Sequence, residues 1–508
     1  MAALLGALAL CWVLLTPPGA GADEPSHVVR AGMLADGEVD LLVRVDQDRL
    51  ITRRLPPEYA VPEPGCYAWA PQIPVDCAVG TAALPGDDGR VLVATTAHEY
   101  PVWGHAVAAI GSALPGDGGI WAARSSSAMV SIALVASALV VAVRTSLGAV
   151  VGVLLALTPM AWSTFALVNP SSLATAGAVA LWVTLLTRRP GWLMACGWTA
   201  LALPRRDGLV WACLIVAALV LIDGRDVLGD VWRRRRRLAG PLALAAAATL
   251  MTLVWDVTNA IRVAQLGALA PFAVAAAWCV RWGWDRLGAR PGGRLPYAAA
   301  VGAAGVAAVV LMFVARPGGW NGGLTRTVVG QTANNFNEAI GVLGWLDTPL
   351  PRPATAAWIA LVAALAVGAV RAGATAALAR AGATLCLSVV TAWAFELQQG
   401  GDSGNYWQGR YSLPLLVGVP IALGLAAQLG RRALVSLGIA VLALLNVAAW
   451  AAARRWAVGV DGTLRPWKWG AELMPVHPLA VLAAHAVITA AIAWFVVLGD
   501  SAREGMRR

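Results

Sequence analysis

Apolar runs of about 17–20 residues recur along almost the whole of this 508-residue chain, and a run of that length lets a helix cross a bilayer. Residues 2–16 form the first. Others fall near 125–143, 147–167, 171–187, 191–204, 208–222, 240–258, 263–280, 297–315, 355–370, 382–397, 412–429, 433–452 and 478–498. Composition agrees: 59% of residues are hydrophobic and 13% charged, whereas soluble domains carry about 25% charged residues. The expected fold class is an all-α polytopic membrane protein with about 14 transmembrane helices. Residues 1–22 are the first transmembrane helix in this reading. A signal peptide is the alternative, because Gly19-Ala20-Gly21-Ala22 resembles a small-residue cleavage site, but no basic segment precedes the run.

Charge orients the spans. Cytoplasmic loops would hold Arg144, Arg188, Arg189, Arg225, Arg233 to Arg237, Arg281, Arg286, Arg290, Arg294, Arg371, Arg380, Arg431, Arg432, Arg503, Arg507 and Arg508 against six acidic residues. The opposite side keeps an acidic excess. That is the positive-inside pattern, with both termini in the cytoplasm. It accounts for the net charge of +10 without nucleic acid, and it makes the Arg233–Arg237 run a topology anchor against anionic lipid. No phosphate-binding glycine motif stands in the short cytoplasmic loops.

The chemistry is therefore expected in the long extracytoplasmic segments. Residues 23–123 read as a small mixed α/β lobe with a membrane-surface helix over Tyr100–Leu114. Residues 124–315 hold transmembrane helices, 316–354 form an extracytoplasmic loop, and 355–508 hold the C-terminal helices with outer loops 398–411 and 453–477. Val39–Arg54 and Val75–Thr96 carry β-like patches, the second with a turn at Gly86-Asp87-Asp88-Gly89. Cys66 and Cys77 are the two cysteines in an outer loop, where a disulfide is expected. Cys11, Cys196, Cys213, Cys279 and Cys386 fall in spans as apolar fillers.

Asp23-Glu24-Pro25-Ser26-His27 follows the first span. Pro25 suits the first position of a helix, Asp23 or Glu24 can cap it, and Gly37 can end it. Asp23, His27 and Arg30 could then share a face. A carboxylate there can take a proton from a sugar hydroxyl, with His27 and Arg30 holding an anionic group nearby. The alternative is a plain cap with a solvated first turn. In Gln408-Gly409-Arg410-Tyr411, Arg410 can clamp a phosphate or serve as an interfacial anchor beside Tyr411. Arg205 and Arg206 stand against the charge bias, so a lipid phosphate or pairing with Asp207 must explain them. Asn335, Glu338, Trp345 and Asp347 mix amide, carboxylate and aromatic groups as a sugar site does, or form a capped helix and a turn. Gln408, Tyr411 and Trp467 join the same substrate set, Trp467 also being a natural belt residue. His98-Glu99-Tyr100-Pro101 is a further candidate to line the same cavity as Asp23, while His105, His477 and His485 read as structural.

Taken together, Asp23–His27, Thr158-Pro159-Met160, Asn169-Pro170-Ser171-Ser172, Gly344-Trp345-Leu346-Asp347-Thr348-Pro349 and Gln408–Tyr411 resemble a family of bacterial predicted membrane proteins, domain of unknown function twenty-one forty-two. That family is similar to the GT-C class of integral membrane glycosyltransferases. The resemblance implies an inverting glycosyltransferase of the bacterial plasma membrane, active on its extracytoplasmic face. It implies a polyprenyl-phosphate sugar as donor, a cell-envelope glycan or lipid as acceptor, and Asp23 or Glu24 as general base. Arg410, with Arg205 or Arg206, would hold the leaving phosphate. In the family's Pro-Pro-Asp-Glu-like run the carboxylates follow the prolines directly, whereas here Gly19–Ala22 intervene. No dedicated metal site or cofactor is expected, and a loosely held divalent cation near the acidic loop stays open. A lipid-linked sugar transporter or flippase and a non-catalytic envelope scaffold are the alternatives.

Overall fold

The computed structural model describes residues 1–39, 51–113, 118–224, 226–259, 274, 275, 277–282, 322–399, 407–470 and 472–507. These residues are predominantly helical. Helix α1 (Ala2–Leu15) leads through a turn into α2 (Glu24–Ala35). Strands β1 (Ile51–Leu55) and β2 (Val91–Thr95) pair antiparallel, Ile51 opposite Thr95 and Leu55 opposite Val91. The predicted Gly86–Gly89 turn lies just before β2, with Gly89 N–H donating to Gly86 O at 2.9 Å. Most of the predicted first β patch, residues 40–50, lies outside the described residues. Helix α3 (Trp103–Ser112) packs on α2 and on α4 (Gly118–Val143). Because α4 begins at Gly118, the expected boundary at 123/124 falls inside a helix.

The next elements are α5 (Leu147–Ala156), α6 (Pro159–Phe165), α7 (Pro170–Leu186), α8 (Trp192–Ala202), α9 (Gly208–Asp223), α10 (Asp226–Arg233) and α11 (Ala239–Asn259). Two of the sequence motifs are helix starts. Thr158 caps α6 by accepting from Ala161 N–H at 3.3 Å, and Asn169 caps α7 by accepting from Ser171 N–H at 2.9 Å. In each, the following proline suits the first helical position. Residues Pro170 to Leu185 of α7 are all buried, as expected for a helix apolar on every side. Gly177 and Gly197 let α7 and α8 touch, since a Cβ on Gly177 would lie 2.7 Å from Gly197 O.

After residue 321 come α12 (Gly322–Gly330), α13 (Thr332–Gly341), the short antiparallel pair β3 (Val342–Leu343) and β4 (Thr348–Pro349), α14 (Arg352–Arg371) and α15 (Thr375–Gln399). The chain then forms a 3-10 turn (Gly409–Ser412), α16 (Leu413–Leu416), α17 (Gly418–Ala426), α18 (Arg431–Val458) and α19 (Pro478–Arg507).

Six described segments are long and apolar enough to cross a membrane, or seven when α5 and α6, bent by 66° at their break, count as one. Five further apolar helices, including α1, α7, α8 and α9, are shorter. This corrects the expected count of about 14. Hydropathy does not distinguish a segment facing lipid from one buried in protein, and the 11 residues of α8 reach only about 16 Å, roughly half a bilayer core. The expected spans at 263–280 and 297–315 lie mostly or wholly outside the described residues.

Candidate functional site

The turn from α1 into α2 sends two adjacent carboxylates in opposite directions. Asp23 has left-handed backbone (φ +65°) immediately before α2 and makes no side-chain cap. Its carboxylate is 44% exposed. Glu24, the first residue of α2, is fully buried. Arg124, in the first turns of α4, donates to Glu24 from Nε at 2.7 Å and from Nη2 at 2.6 Å. Glu24 also accepts from Gly19 N–H and Val168 N–H, each at 3.2 Å. Arg124 further donates to the carbonyls of Thr16 and Pro17. This arrangement clamps the α1–α2 turn and leaves Glu24 no free lone pair directed to solvent. Of the two expected bases, only Asp23 is accessible.

Asp23 is ion-paired with Arg410. The Arg410 guanidinium is buried, donates from Nη1 to Ala22 O at 3.3 Å, and keeps its Nε without a hydrogen-bond partner among the described residues. The local sequence explains how it is held. Glu338 on α13 accepts from Gly409 N–H at 2.7 Å and from the Asn334 amide at 2.6 Å. Burial raises the Glu338 carboxyl above its usual value, against the pull of those two donors and of Arg410. Gly409 is required for this contact, because a Cβ there would lie 2.1 Å from Asn335 O. Glu338 and Asn335 thus act on Arg410 through Gly409. Gln408 starts the same turn, its carbonyl accepting from Tyr411 N–H at 2.9 Å. Its side-chain oxygen is buried without a hydrogen-bond partner among the described residues.

The two other arginines converge on the same place. Arg205 lies 4.8 Å from the Tyr411 ring and 5.9 Å from Tyr100, and Arg206 lies 5.1 Å from Tyr100. Arg410 lies 5.4 Å from Tyr411. Arg205, however, is committed: it makes a forked pair with Asp207 at 2.7 and 3.0 Å and also bonds Ser171. Burial alone would raise the Asp207 carboxyl, but Arg205 outweighs it and holds it below the usual range. Arg206 pairs with Glu99. Internal pairing therefore accounts for both arginines, and neither presents a free fork to a phosphate.

His27 is buried and shares a hydrogen bond with His105, Nδ1 to Nε2, at 2.9 Å. Burial, followed by the charges of Arg410, Arg205 and Arg206, pushes its imidazolium down to about 3. It stands as a neutral ring beside the site, not the expected cationic anion-holder. Arg30 is buried as well, and its charge adds to burial, the larger cause, in depressing His98 and His105.

A family-level match fits this arrangement. The family model described as a predicted membrane protein, DUF2142, matches residues 5–419. The chain belongs to that family. The matched region contains Asp23, Glu24, Arg124, Arg205 and Arg410. No curated protein and no solved structure matches this DUF2142 member.

In this DUF2142 protein the Gly344–Pro349 motif is a support for the Asp23 turn. Gly344 O accepts from Ala22 N–H at 3.3 Å, and the Trp345 indole N–H donates to Gly19 O at 3.1 Å. Asp347 is buried in a 2.8 Å ion pair with Arg455 of α18, which also donates to the carbonyls of Tyr67, Ala70 and Ile73. Asp347 thus joins this turn to the loop closed by the Cys66–Cys77 disulfide, and is not a substrate group. Trp467 is 65% exposed between α18 and α19, and its turn packs on α19. Among the described residues no three His, Cys, Asp or Glu side chains are grouped to hold a metal ion.

An apolar cavity of about 700 Å³ is lined by the helix that follows Arg410. Its walls come from α5, α14, α15, α16 and α17, and α13 roofs it. Leu413 and Leu416, one and two turns beyond Arg410, line it, as do Phe336, Trp358, Ile359 and Leu385. Ile359 and Leu385 are themselves exposed, so the cavity reaches the surface of the helical bundle.

Sequence reasoning missed Arg124 and Arg455 as the residues that fix the carboxylates. Their signal was available: an arginine inside an apolar run needs a named partner. Tyr100, which borders both Arg205 and Arg206, was legible only as a neighbour of His98.

Proposed function

We propose that this protein is an inverting, GT-C-type glycosyltransferase that moves a sugar from a polyprenyl-phosphate donor to a cell-envelope glycan or lipid acceptor at the extracytoplasmic face. The observation that carries this reading is the half-exposed Asp23 carboxylate paired with a buried Arg410, three residues before the first wall residue (Leu413) that its segment gives to a surface-open apolar cavity. The cavity's volume falls in the range of about 300–1,000 Å³ usual for ligand sites. Its apolar walls suit a prenyl tail and leave the phosphate at the level of Arg410.

The donor phosphate takes the Arg410 fork, including the Nε donor that has no hydrogen-bond partner among the described residues, and displaces Asp23 from it. The freed carboxylate then accepts the proton of the acceptor hydroxyl. The hydroxyl oxygen bonds to the anomeric carbon as the bond from that carbon to the phosphate oxygen breaks. Polyprenyl phosphate leaves with the electron pair, its charge stabilised by Arg410. Attack opposite the leaving group inverts the anomeric centre. Glu24, Glu338 and Asp347 position this apparatus without touching substrate, and the phosphate leaving group relieves the step of any need for a dedicated metal.

The test uses the purified full chain in lipid nanodiscs with a polyprenyl-phosphate pentose or hexose and envelope glycan acceptors. Covalent transfer is expected, and Asp23→Asn should remove it. Wild-type transfer by Asp23→Asn overturns Asp23 as base. Movement of labelled donor across a liposome bilayer with no glycosidic product supports the flippase alternative instead.

A further inference from the structure

We infer that Trp69 and Trp345 form a carbohydrate-binding ledge beside Asp23, where the acceptor sugar stacks. This deepens the glycosyltransferase reading by locating its acceptor side. The two indoles meet edge to face, with ring centroids 5.1 Å apart and planes at 68°. Trp69 is 71% exposed. A sugar ring presents flat patches of C–H groups that pack on an aromatic face, while its hydroxyls remain in water or meet polar edges. Two indoles at a steep angle offer one face and one flanking wall for such a ring.

Both rings are carried on backbone that is fixed from several sides. Trp69 has left-handed backbone, φ +58°, a conformation L residues other than Gly, Asn and Asp seldom adopt. Its loop is closed by the Cys66–Cys77 disulfide and gripped by Arg455 through three carbonyls. Val460 N–H also donates to Pro71 O at 2.8 Å. Trp345 is oriented by its bond to Gly19 O, and the preceding residue, Gly344, touches Ala22. The ledge is therefore built on the same turn that carries Asp23.

A membrane-belt tryptophan is the competing occupant of such a position. Among the described residues Trp69, Trp192, Trp232, Trp467 and Trp494 are each more than 60% exposed. Only Trp69 of these stands on left-handed backbone. Anchoring in a headgroup layer tolerates many ring orientations and does not call for one fixed by strain, a disulfide and an arginine. A fixed ring pair next to the candidate base suits a ligand whose orientation matters.

Hydroxyl-radical footprinting read by mass spectrometry tests this residue by residue. The full chain in nanodiscs is oxidised with and without trisaccharides of D-glucose, D-galactose, D-mannose and D-arabinose at millimolar concentration. Without sugar, Trp69 should be oxidised readily. At least one trisaccharide should slow oxidation of Trp69 and Trp345 together by about threefold or more, leaving Trp232 and Trp467 unchanged. Trp69→Ala should weaken the protection of Trp345 by about two- to tenfold in apparent affinity. Trp69→Phe, which keeps an aromatic face, should retain most of it.

Three results overturn the ledge: protection of Trp69 by the bilayer before sugar is added, no protection by any trisaccharide, or equal protection at Trp467. None of these readouts needs turnover. Sugar protection without transfer leaves the ledge standing and removes the glycosyltransferase reading. Transfer that depends on Asp23 without protection does the reverse.

Discussion

Asp23 and Glu24 are neighbours in the chain, and each faces an arginine brought from far away in sequence. Glu24 and Arg124 are both completely buried, and every oxygen of the carboxylate is engaged. Asp23 is 44% exposed and its arginine 4%. The first pair is closed on both sides and the second on one. A closed pair fixes geometry, because opening it would strand a charge in a medium that cannot solvate it. A half-open pair can exchange partners with a solute that brings its own charge. The same chemistry thus serves as a clamp at one position and as a replaceable contact at the next.

The sharpest way to break this comparison is Asp23→Asn. Losing a general base is expected to lower transfer by about 10²–10⁴-fold. Thermal stability should fall by less than in Glu24→Gln, because Asp23 is 44% exposed and water can reach the side of Arg410 that it vacates. Affinity for a polyprenyl monophosphate should stay the same or tighten by up to about fivefold, because Asp23 no longer competes for Arg410. Weaker phosphate binding in this variant, measured by calorimetry, would count against the exchange of partners. Arg410→Gln should do the opposite on binding and lose about 10²–10³-fold in transfer.

Glu24→Gln should reverse the pattern. Breaking a buried pair from one side costs about 3–5 kcal/mol, so a large fall in melting temperature or in folded yield is expected. Glu24→Gln combined with Arg124→Met removes both charges and should recover part of that loss. If the double variant melts no higher than the single one, the clamp is not the reason Glu24 is buried. Gly409→Ala carries a smaller effect. Its new methyl meets Asn335 O, so about 1–3 kcal/mol is expected from overpacking. Displacement of Arg410 should lower transfer while Asp23 itself is unaltered.

The sequence made some of this visible and hid the rest for identifiable reasons. The membrane class was accessible, since apolar runs carry a direct physical meaning, whereas only the family resemblance put Asp23 and Arg410 to work at one site. The Thr158-Pro159 and Asn169-Pro170 motifs were noticed as words and turn out to be caps. What could not be read was direction. Adjacent carboxylates at a helix start have equal standing in a sequence, and only the left-handed turn at Asp23 sends them apart. Likewise Glu338 and Asp347 look like substrate groups until their partners, Gly409 N–H and Arg455, arrive from other helices. Among the described residues span counting overshot because α7 is as apolar as a lipid-facing helix while being buried along its length, and α8, with 11 residues, is too short to cross.

The smallest effect concerns the neutral ring beside the site. His27 is held down to about 3 in the folded protein, first by burial and then by Arg410, Arg205 and Arg206, whereas an exposed histidine titrates near 6.5. Between those values the unfolded chain binds a proton that the folded chain refuses, so stability rises with pH across that window and falls as pH drops through it. At pH 5 the loss from one such histidine is about 2 kcal/mol. His27→Gln removes the titration, and its amide can still meet His105. The melting temperature of the wild type should therefore fall between pH 7 and pH 5 more steeply than that of His27→Gln, with His105, also depressed, sustaining part of the slope. Identical acid limbs for the two proteins would mean that His27 is not held neutral by the three arginines, and the site around Asp23 would then carry one more positive charge than its geometry implies.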